Sequence, residues 1–230
     1  MNLNSTERGR TQNGPFLMAL HSSSNTLGIA IINSRKPKTT LKSASFPLGR
    51  ELSKNLISCV EEILPSSYWP QLGRLSVAIG PGGFTGTRLT VVMARTIAQQ
   101  LNISLDGISS FALMAPRLAT TLKNKEQDKP FWIIKDLPRR GLIAGNYIIR
   151  SPSEPNDFSE VKELEKPRLF SYNFNPNPHI IASDKAEEDV IQLLRISLRE
   201  HNLGRKSHWK NALPIYPTSP VENNNQKTLK

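Results

Sequence analysis

The sequence is poor in the residues that build disulfides, metal centres and hydrolytic sites. Cys59 is its only cysteine, which excludes an internal disulfide and a multi-thiolate metal site and is typical of a reducing compartment. The four histidines, His21, His179, His201 and His208, include no pair at the i, i+4 spacing of a helical zinc motif. Neither His-Glu-x-x-His nor Gly-x-Ser-x-Gly occurs. Zinc-peptidase chemistry therefore lacks its ligands, and a hydrolase triad lacks its signature.

Long apolar runs are also missing. No uninterrupted run approaches the length of a membrane span, and residues 1–8 lack the apolar core of a secretory signal. A cytosolic protein without membrane contact is therefore expected. The net charge of +11 favours a polyanionic neighbour such as a nucleic acid, but solvated basic faces explain the same value. Residues 154–200 are acidic on balance and interrupt the basic chain.

Apolar patterns predict strands and helices, and the order of a strand pair followed by a helix begins twice along the chain. Strands are predicted at residues 16–20, 27–32, 39–46, 75–79, 103–108, 131–134, 142–149 and 179–182. Helices are predicted at residues 51–64, 87–101, 109–118 and 184–200. The first helix carries an apolar stripe that includes Cys59, so we expect this thiol to be a core residue rather than a reactive group.

This order predicts an α/β protein of two side-by-side subdomains, each with a mixed sheet. The first subdomain is expected to cover residues 16–118 and the second residues 119–217. Residues 1–15 are expected to form a disordered lead-in and residues 218–230 a frayed tail, because neither segment has an apolar pattern. The acidic, proline-containing stretch 151–167 is assigned no strand.

A glycine-rich segment lies between a predicted strand and a predicted helix. It reads Gly80-Pro81-Gly82-Gly83-Phe84-Thr85-Gly86-Thr87-Arg88. Strand, glycine loop and helix form the general arrangement for phosphate binding, because backbone amides and a helix N-terminus attract anions. A P-loop needs four residues between its first two glycines, whereas Gly80 and Gly86 have five between them. The Gly-x-Gly-x-x-Gly pattern also fails, because its third position falls on Thr85.

Two interpretations of this segment stay open on physical grounds. A nucleotide-binding Rossmann unit would use Asp106 as its ribose-binding acid, although the hairpin predicted before the motif argues against it. Alternatively, the glycines only let a tight turn pass close to a neighbouring segment, with Phe84 filling an apolar hole.

Residues 78–89 resemble the signature of the TsaB/YeaZ family, Gly-Pro-Gly-Ser-Phe-Thr-Gly-x-Arg followed by a hydrophobic residue. Residues 17–24 are similar to the family's first strand, Asp136 with residues 139–141 to its Asp-Ala-Arg-x-Gly segment, and residues 212–216 to its closing Pro-x-Tyr. The resemblance implies an actin/Hsp70-like fold of two lobes. It also implies a non-catalytic scaffold subunit of the machinery that makes threonylcarbamoyladenosine in tRNA.

The partners implied by the resemblance are TsaD, which transfers the threonylcarbamoyl group, and TsaE, an ATPase. The resemblance also implies that tRNA is bound through the complex. A homodimer of the isolated chain is a further expectation. ATP or ADP is expected only within the complex, because His21 stands where the family usually has Asp, and an imidazole is a poor magnesium ligand. The alternatives are an actin-like ATPase and a vestigial peptidase. Leu137-Pro138 departs from the family pattern as an apparent insertion.

The helix that follows the glycine motif is the expected TsaD contact. Its helical wheel has a wider apolar arc than one sheet requires. We expect Leu89, Met93 and Ile97 to face the sheet. The small flank formed by Val91, Ala94 and Ala98 is then expected to bind the partner.

Overall fold

The computed structural model describes residues 14–36, 41–122, 129–150 and 160–217. Most of the predicted lead-in and all of the predicted tail lie outside these residues. Within them, no helix is long and apolar enough to span a bilayer.

The first sheet has five strands in the order β3-β2-β1-β4-β5. They are β1 (Phe16–His21), β2 (Leu27–Asn33), β3 (Lys42–Phe46), β4 (Leu72–Ala78) and β5 (Ser104–Ile108). The pairs β1–β2 and β2–β3 are antiparallel, whereas β1–β4 and β4–β5 are parallel. A mixed sheet that opens with an antiparallel meander has a different topology from a Rossmann unit, so the Rossmann alternative is wrong.

The second sheet has four strands in the order β8-β7-β6-β9. They are β6 (Phe131–Leu137), β7 (Gly141–Arg150), β8 (Glu160–Phe170) and β9 (His179–Ile181). Only the β6–β9 pair is parallel. The order repeats β3-β2-β1-β4 of the first sheet, which confirms the prediction of two mixed sheets. β8 was missed because charged residues alternate along it, as on an edge strand exposed to water.

Four α-helices complete the layers: α1 (Leu52–Ile63), α2 (Phe84–Leu101), α3 (Ser110–Ala119) and α4 (Ala186–Asn202). α1 and α2 cover one face of the first sheet, and Cys59 of α1 is buried in that core as expected. α4 packs on the other face, where Gly28 lets its backbone approach closely. α3 packs against α4 and the second sheet. The hydroxyl of Ser109 caps α3 by accepting from Ala112 N at 3.1 Å.

The position predicted for the small flank of α2 is wrong, although Ile97 is buried in the first core as predicted. Val91, Ala94 and Ala98 are fully buried in the first core, whereas Val92 is 61% exposed. The buried arc also contains the polar residues Thr87 and Thr90. The Thr90 hydroxyl donates to Gly86 O at 3.1 Å and bonds with Ser22. The hydrogen-bonded Thr90 and the small alanines therefore set the inner face.

Candidate functional site: the glycine motif and its surroundings

The glycine motif is held on both sides by backbone and side-chain hydrogen bonds. Ser110 at the start of α3 donates its amide to Gly80 O at 2.8 Å and its hydroxyl to Pro81 O at 2.6 Å. The Gly83 amide donates to Ser23 O in the β1–β2 turn at 2.8 Å. The motif is therefore part of the junction between β1, β4 and α3, and its backbone conformation is fixed by all three.

Close approach explains why glycine is needed at two positions. A Cβ at Gly82 would lie 2.1 Å from Ser23 O, and one at Gly86 would lie 2.9 Å from Ser22 O. Backbone atoms cannot give way at such distances, so the tight-turn interpretation accounts for both glycines. The part of that interpretation that concerns Phe84 is wrong, because this side chain is 49% exposed and fills no hole. α2 also begins at Phe84, three residues before its predicted start.

An aromatic and cationic cluster is exposed where α2 begins. The Arg88 guanidinium carbon lies 3.9 Å from the Phe84 ring centroid and 4.9 Å from that of Tyr216. Arg88 Nε donates to the Tyr216 hydroxyl at 2.7 Å, and the two rings lie 5.6 Å apart. The closing segment is tied to the motif by a hydrogen bond from Ile215 N to Ile79 O at 2.7 Å. These contacts bring together residues that lie more than a hundred positions apart in the sequence.

Two clefts flank the motif. One, of about 180 Å³, is lined by Gly82, Phe84, Thr87, Leu137, Ile143 and residues 214–217. The other, of about 420 Å³, is lined by residues 23–26, Gly83, Lys135, Asp184 and Ala186. In the second cleft the Lys135 ammonium lies 3.1 Å from the Asp184 carboxylate, so the two charges neutralise each other.

His21 ends β1 beside this cleft and is completely buried. Neither ring nitrogen has a hydrogen-bond partner among the described residues, and the same holds for the buried Ser23 and Thr87 hydroxyls. Burial lowers the pKa of His21, against the opposing influence of Asp189 and Asp184. The imidazole is therefore held in its neutral form at neutral pH.

A buried ion pair lies near His21, between α3 and α4. Arg117 Nε contacts Asp189 Oδ1 at 2.9 Å, and a second nitrogen contacts Oδ2 at 3.1 Å. Arg117 also donates to the backbone and hydroxyl oxygens of Ser183. The pair fixes α4 against α3 and contributes charge near His21, and sequence reasoning did not identify it.

Asp106 has a structural role instead of a nucleotide-binding one. Its carboxylate accepts two hydrogen bonds from Arg74, both at 2.7 Å, and two more from the hydroxyls of Ser197 and Ser207. The carboxylate of Asp106 therefore already accepts four hydrogen bonds from within the chain, so the ribose contact suggested for it is wrong.

The second-lobe part of the family resemblance forms a surface turn. Asp136, Arg139 and Arg140 are all exposed. Leu137 pairs with Gly141, and Arg139 adopts a left-handed conformation with φ of 68° between them. The turn therefore accommodates the apparent Leu137-Pro138 insertion without interrupting the β6–β7 pairing.

A further cavity of about 460 Å³ lies between β5, β8, α4 and the closing segment. The Ser109 and Tyr147 hydroxyls donate to Glu163 Oε1 at 2.7 Å and 3.1 Å at its wall. Burial and the adjacent carboxylate raise the pKa of Tyr147. Tyr147 is thus a neutral donor that orients Glu163.

The residues beside the motif do not provide the ligands of a magnesium nucleotide. Magnesium prefers hard anionic oxygens. At the end of β1 the neutral imidazole of His21 offers none, and the carboxylate of Asp184 is already paired with Lys135. In the described ranges, no three His, Cys, Asp or Glu side chains are grouped as metal ligands would be.

The chain is similar to known proteins in sequence and in fold. A family model described as "TsaD: tRNA N6-adenosine threonylcarbamoyltransferase" matches residues 48–147. A Bacillus subtilis (strain 168) protein, named tRNA threonylcarbamoyladenosine biosynthesis protein TsaB, is 32% identical over 101 residues. That alignment spans 43% of this chain and 43% of the relative, which is less than half of either. The resemblance to the TsaB/YeaZ family is confirmed.

Solved structures extend the likeness over most of the chain. YeaZ from Pseudomonas aeruginosa has a TM-score of 0.62 at 16% identity, covering 87% of this chain and 99% of that one. A protein described as uncharacterized, with similarity to peptidase YEAZ from Pseudomonas aeruginosa, has a TM-score of 0.66 at 15% identity, covering 88% and 99%. At these identities the likeness concerns the fold alone. With the repeated strand order, it confirms the actin/Hsp70-like α/β architecture of the TsaB/YeaZ proteins.

Proposed function

We propose that this chain is a non-catalytic, cytosolic scaffold subunit for threonylcarbamoyladenosine formation in tRNA and that it binds a TsaD-type subunit. The family model and the curated TsaB relative support the pathway. The proposed partner contact lies on the outer surface of α1 and α2, the helices that cover one face of the first sheet.

The observation that carries the partner proposal is an uncovered apolar stripe on these two helices. Val92 of α2 is 61% exposed and Ile57 of α1 is 58% exposed. Leu89 and Met93, also on α2, are half-buried and pack against the first core. We call these four residues the outer stripe. Exposed apolar residues on two helices that pack against each other are typical of a surface that binds another protein. In the absence of TsaD, the same stripe would pair two copies of the chain.

A scaffold role agrees better with the motif than catalysis does. The glycines let backbone segments approach each other closely. Ser23, Thr87 and His21 are buried side chains. The carboxylate of Asp106 is already hydrogen-bonded to Arg74. An actin-like ATPase would need oxygen ligands at the end of β1, and a vestigial peptidase would need a metal set or a triad. A TsaE-type ATPase would supply the nucleotide chemistry, and ATP or ADP would bind only in the assembled complex.

The partner proposal is tested by co-purification with the TsaD of the same organism. Val92→Glu and Ile57→Glu place a charge in the outer stripe, so we expect each variant to lose TsaD while its melting temperature changes by less than about 3 °C. Ile181→Glu is the matched control, because Ile181 is an exposed aliphatic residue on the second sheet. If the stripe variants retain TsaD, or if the control loses it equally, the proposed contact is wrong.

The pathway is tested in cells. Depletion of the chain should lower threonylcarbamoyladenosine in total tRNA. Complementation by the wild type and by Ile181→Glu should restore it, whereas Val92→Glu should not. Normal levels of the modified nucleoside after full depletion would contradict the proposed function.

A further inference from the structure

Of the four prominently exposed aromatic side chains in the described part of the chain, two line one cleft and a third is hydrogen-bonded to a residue of its wall. Phe84 and Tyr216 line the 180 Å³ cleft on the side of the first lobe. Leu137 lines it from the second lobe, and the hydroxyl of Tyr172 donates to Leu137 O at 3.0 Å. Tyr172 is 54% exposed. The fourth aromatic, Tyr68, packs against Phe16 elsewhere.

One arginine lies against two of these rings, and two more lie in the turn after Leu137. Arg88 stacks on Phe84 and Tyr216 and uses its Nε for the Tyr216 hydroxyl, so its two terminal amino groups point to no described hydrogen-bond partner. Arg139 and Arg140 form the exposed turn that directly follows Leu137. Asp136 is the one acidic residue of β6, so the turn remains basic on balance.

Exposed rings combined with guanidinium groups match one chemical class of ligand. Unpaired bases stack on aromatic rings and on arginine planes, while arginines pair with the phosphates between them. A double helix hides the faces of its bases and would gain only the phosphate contacts. A protein helix would be better matched by aliphatic residues, as on the outer stripe.

We propose that this aromatic–arginine platform, formed by Phe84, Arg88, Arg139, Arg140, Tyr172 and Tyr216, binds unpaired nucleotides of RNA. This inference rests on the proposed function, because a subunit of a tRNA-modifying complex works in contact with RNA. It is argued from the platform alone and does not require the outer stripe to bind TsaD. The platform does not appear in the sequence as a continuous run of basic and aromatic residues, because its residues come from four separate segments.

The test is fluorescence anisotropy of the purified full chain with a 5′-fluorescein-labelled twelve-residue oligouridylate. Free oligouridylate stacks little on itself, so its bases are available. We expect it to bind at least tenfold more tightly than the same strand annealed to oligoadenylate. Phe84→Ala and Tyr172→Ala should each weaken binding about tenfold, as expected for the loss of one base–aromatic stack.

Arginine substitutions separate phosphate contacts from stacking. The double variant Arg139→Ala/Arg140→Ala should reduce the slope of log affinity against log salt by about 1.4, which corresponds to two lost single-strand phosphate contacts. Arg150→Ala/Lys162→Ala is the matched control, because it removes two positive charges at the opposite end of β7 and β8. Tyr68→Ala is the control for an exposed aromatic. Both controls should bind within twofold of the wild type.

The proposal is overturned if duplex and single strand bind equally or if the controls weaken binding as much as the platform variants. Unchanged oligouridylate affinity in Phe84→Ala, together with loss of TsaD, would make the platform a protein contact instead. If Phe84→Ala does not fold, Phe84→Leu keeps the apolar volume and removes the ring, and should show the same loss. If Val92→Glu no longer binds TsaD but binds oligouridylate as the wild type does, the RNA-binding proposal is unaffected. The two proposals can therefore fail independently.

Discussion

The two sheets share a strand order but differ in how they are covered. The first sheet is enclosed by α1 and α2 on one face and by α4 on the other, and every residue of β4 is buried. Among the described residues, the second sheet is covered by one helix, α3, on one face. On its other face, Trp132 and Phe170 are covered by Phe174 from the connection between β8 and β9, with the stacked Phe170–Phe174 centroids 4.0 Å apart.

This difference predicts an uneven distribution of stability. Side chains enclosed on both faces contribute the full free energy of burial, whereas half-buried aromatics contribute only part of it. The first lobe should therefore unfold last. The second lobe, with its exposed turn and aromatic connection, should tolerate substitution and supply an adaptable surface.

The largest effect is expected from Ala98→Arg in the core of the first lobe. Ala98 is fully buried among apolar residues, so a guanidinium there would be buried without a partner. We expect a loss of more than about 4 kcal/mol in the free energy of unfolding, or failure to fold. Circular dichroism and urea denaturation measure this. Gln99→Arg, next along α2 and exposed, should change stability by less than about 0.5 kcal/mol. A stable, folded Ala98→Arg would show that α2 can shift its inner face.

A smaller loss is expected from Asp106→Ala. This change leaves the buried Arg74 charge without its carboxylate and removes acceptors from Ser197 and Ser207. Breaking one partner of a buried ion pair costs about 3–5 kcal/mol. Asp136→Ala, which removes an exposed carboxylate in the second lobe, is the control and should be nearly neutral. Equal effects in the two variants would contradict the structural role of Asp106.

Phe174→Ala should cost less than Phe131→Ala, although both remove a phenylalanine from the second sheet. Phe131 is fully buried under α3, so its loss should destabilise by about 3–5 kcal/mol. Phe174 is half-buried on the opposite face, where aromatic pairing contributes about 0.5–1.5 kcal/mol beyond burial. Guanidinium denaturation of both variants gives the comparison. Equal losses would mean that the outer aromatics form a second full core.

The contrast between the lobes also explains what the sequence could and could not predict. β1, β2 and β4 were predictable because continuous burial gives continuous apolar runs. β8 was not, since its charged residues alternate in a way that also suits a loop. The orientation of α2 depended on Thr90 finding a partner in Ser22, which is a contact between distant segments. The platform was unpredictable for the same reason.

The smallest predicted effect is a pH dependence that originates at His21. Burial lowers its pKa in the folded state below the ordinary value of 6.5, although Asp189 and Asp184 act in the opposite direction and Arg117 adds to the lowering. Between these two pKa values the unfolded chain binds more protons than the folded chain. Stability from the neutral imidazole is therefore complete above pH 6.5 and decreases as the pH falls towards the folded pKa.

His21→Leu removes this titration and also two unpartnered nitrogens from a buried position. The variant should thus lose less stability than the wild type between pH 7.5 and pH 5.5 in urea denaturation. His201 lies on α4 and also has a pKa lowered by burial, so His201→Gln reports its separate share of the slope. If His21→Leu and the wild type show the same pH slope, the imidazole is hydrated in solution and the first lobe is less tightly closed at the end of β1 than its burial indicates.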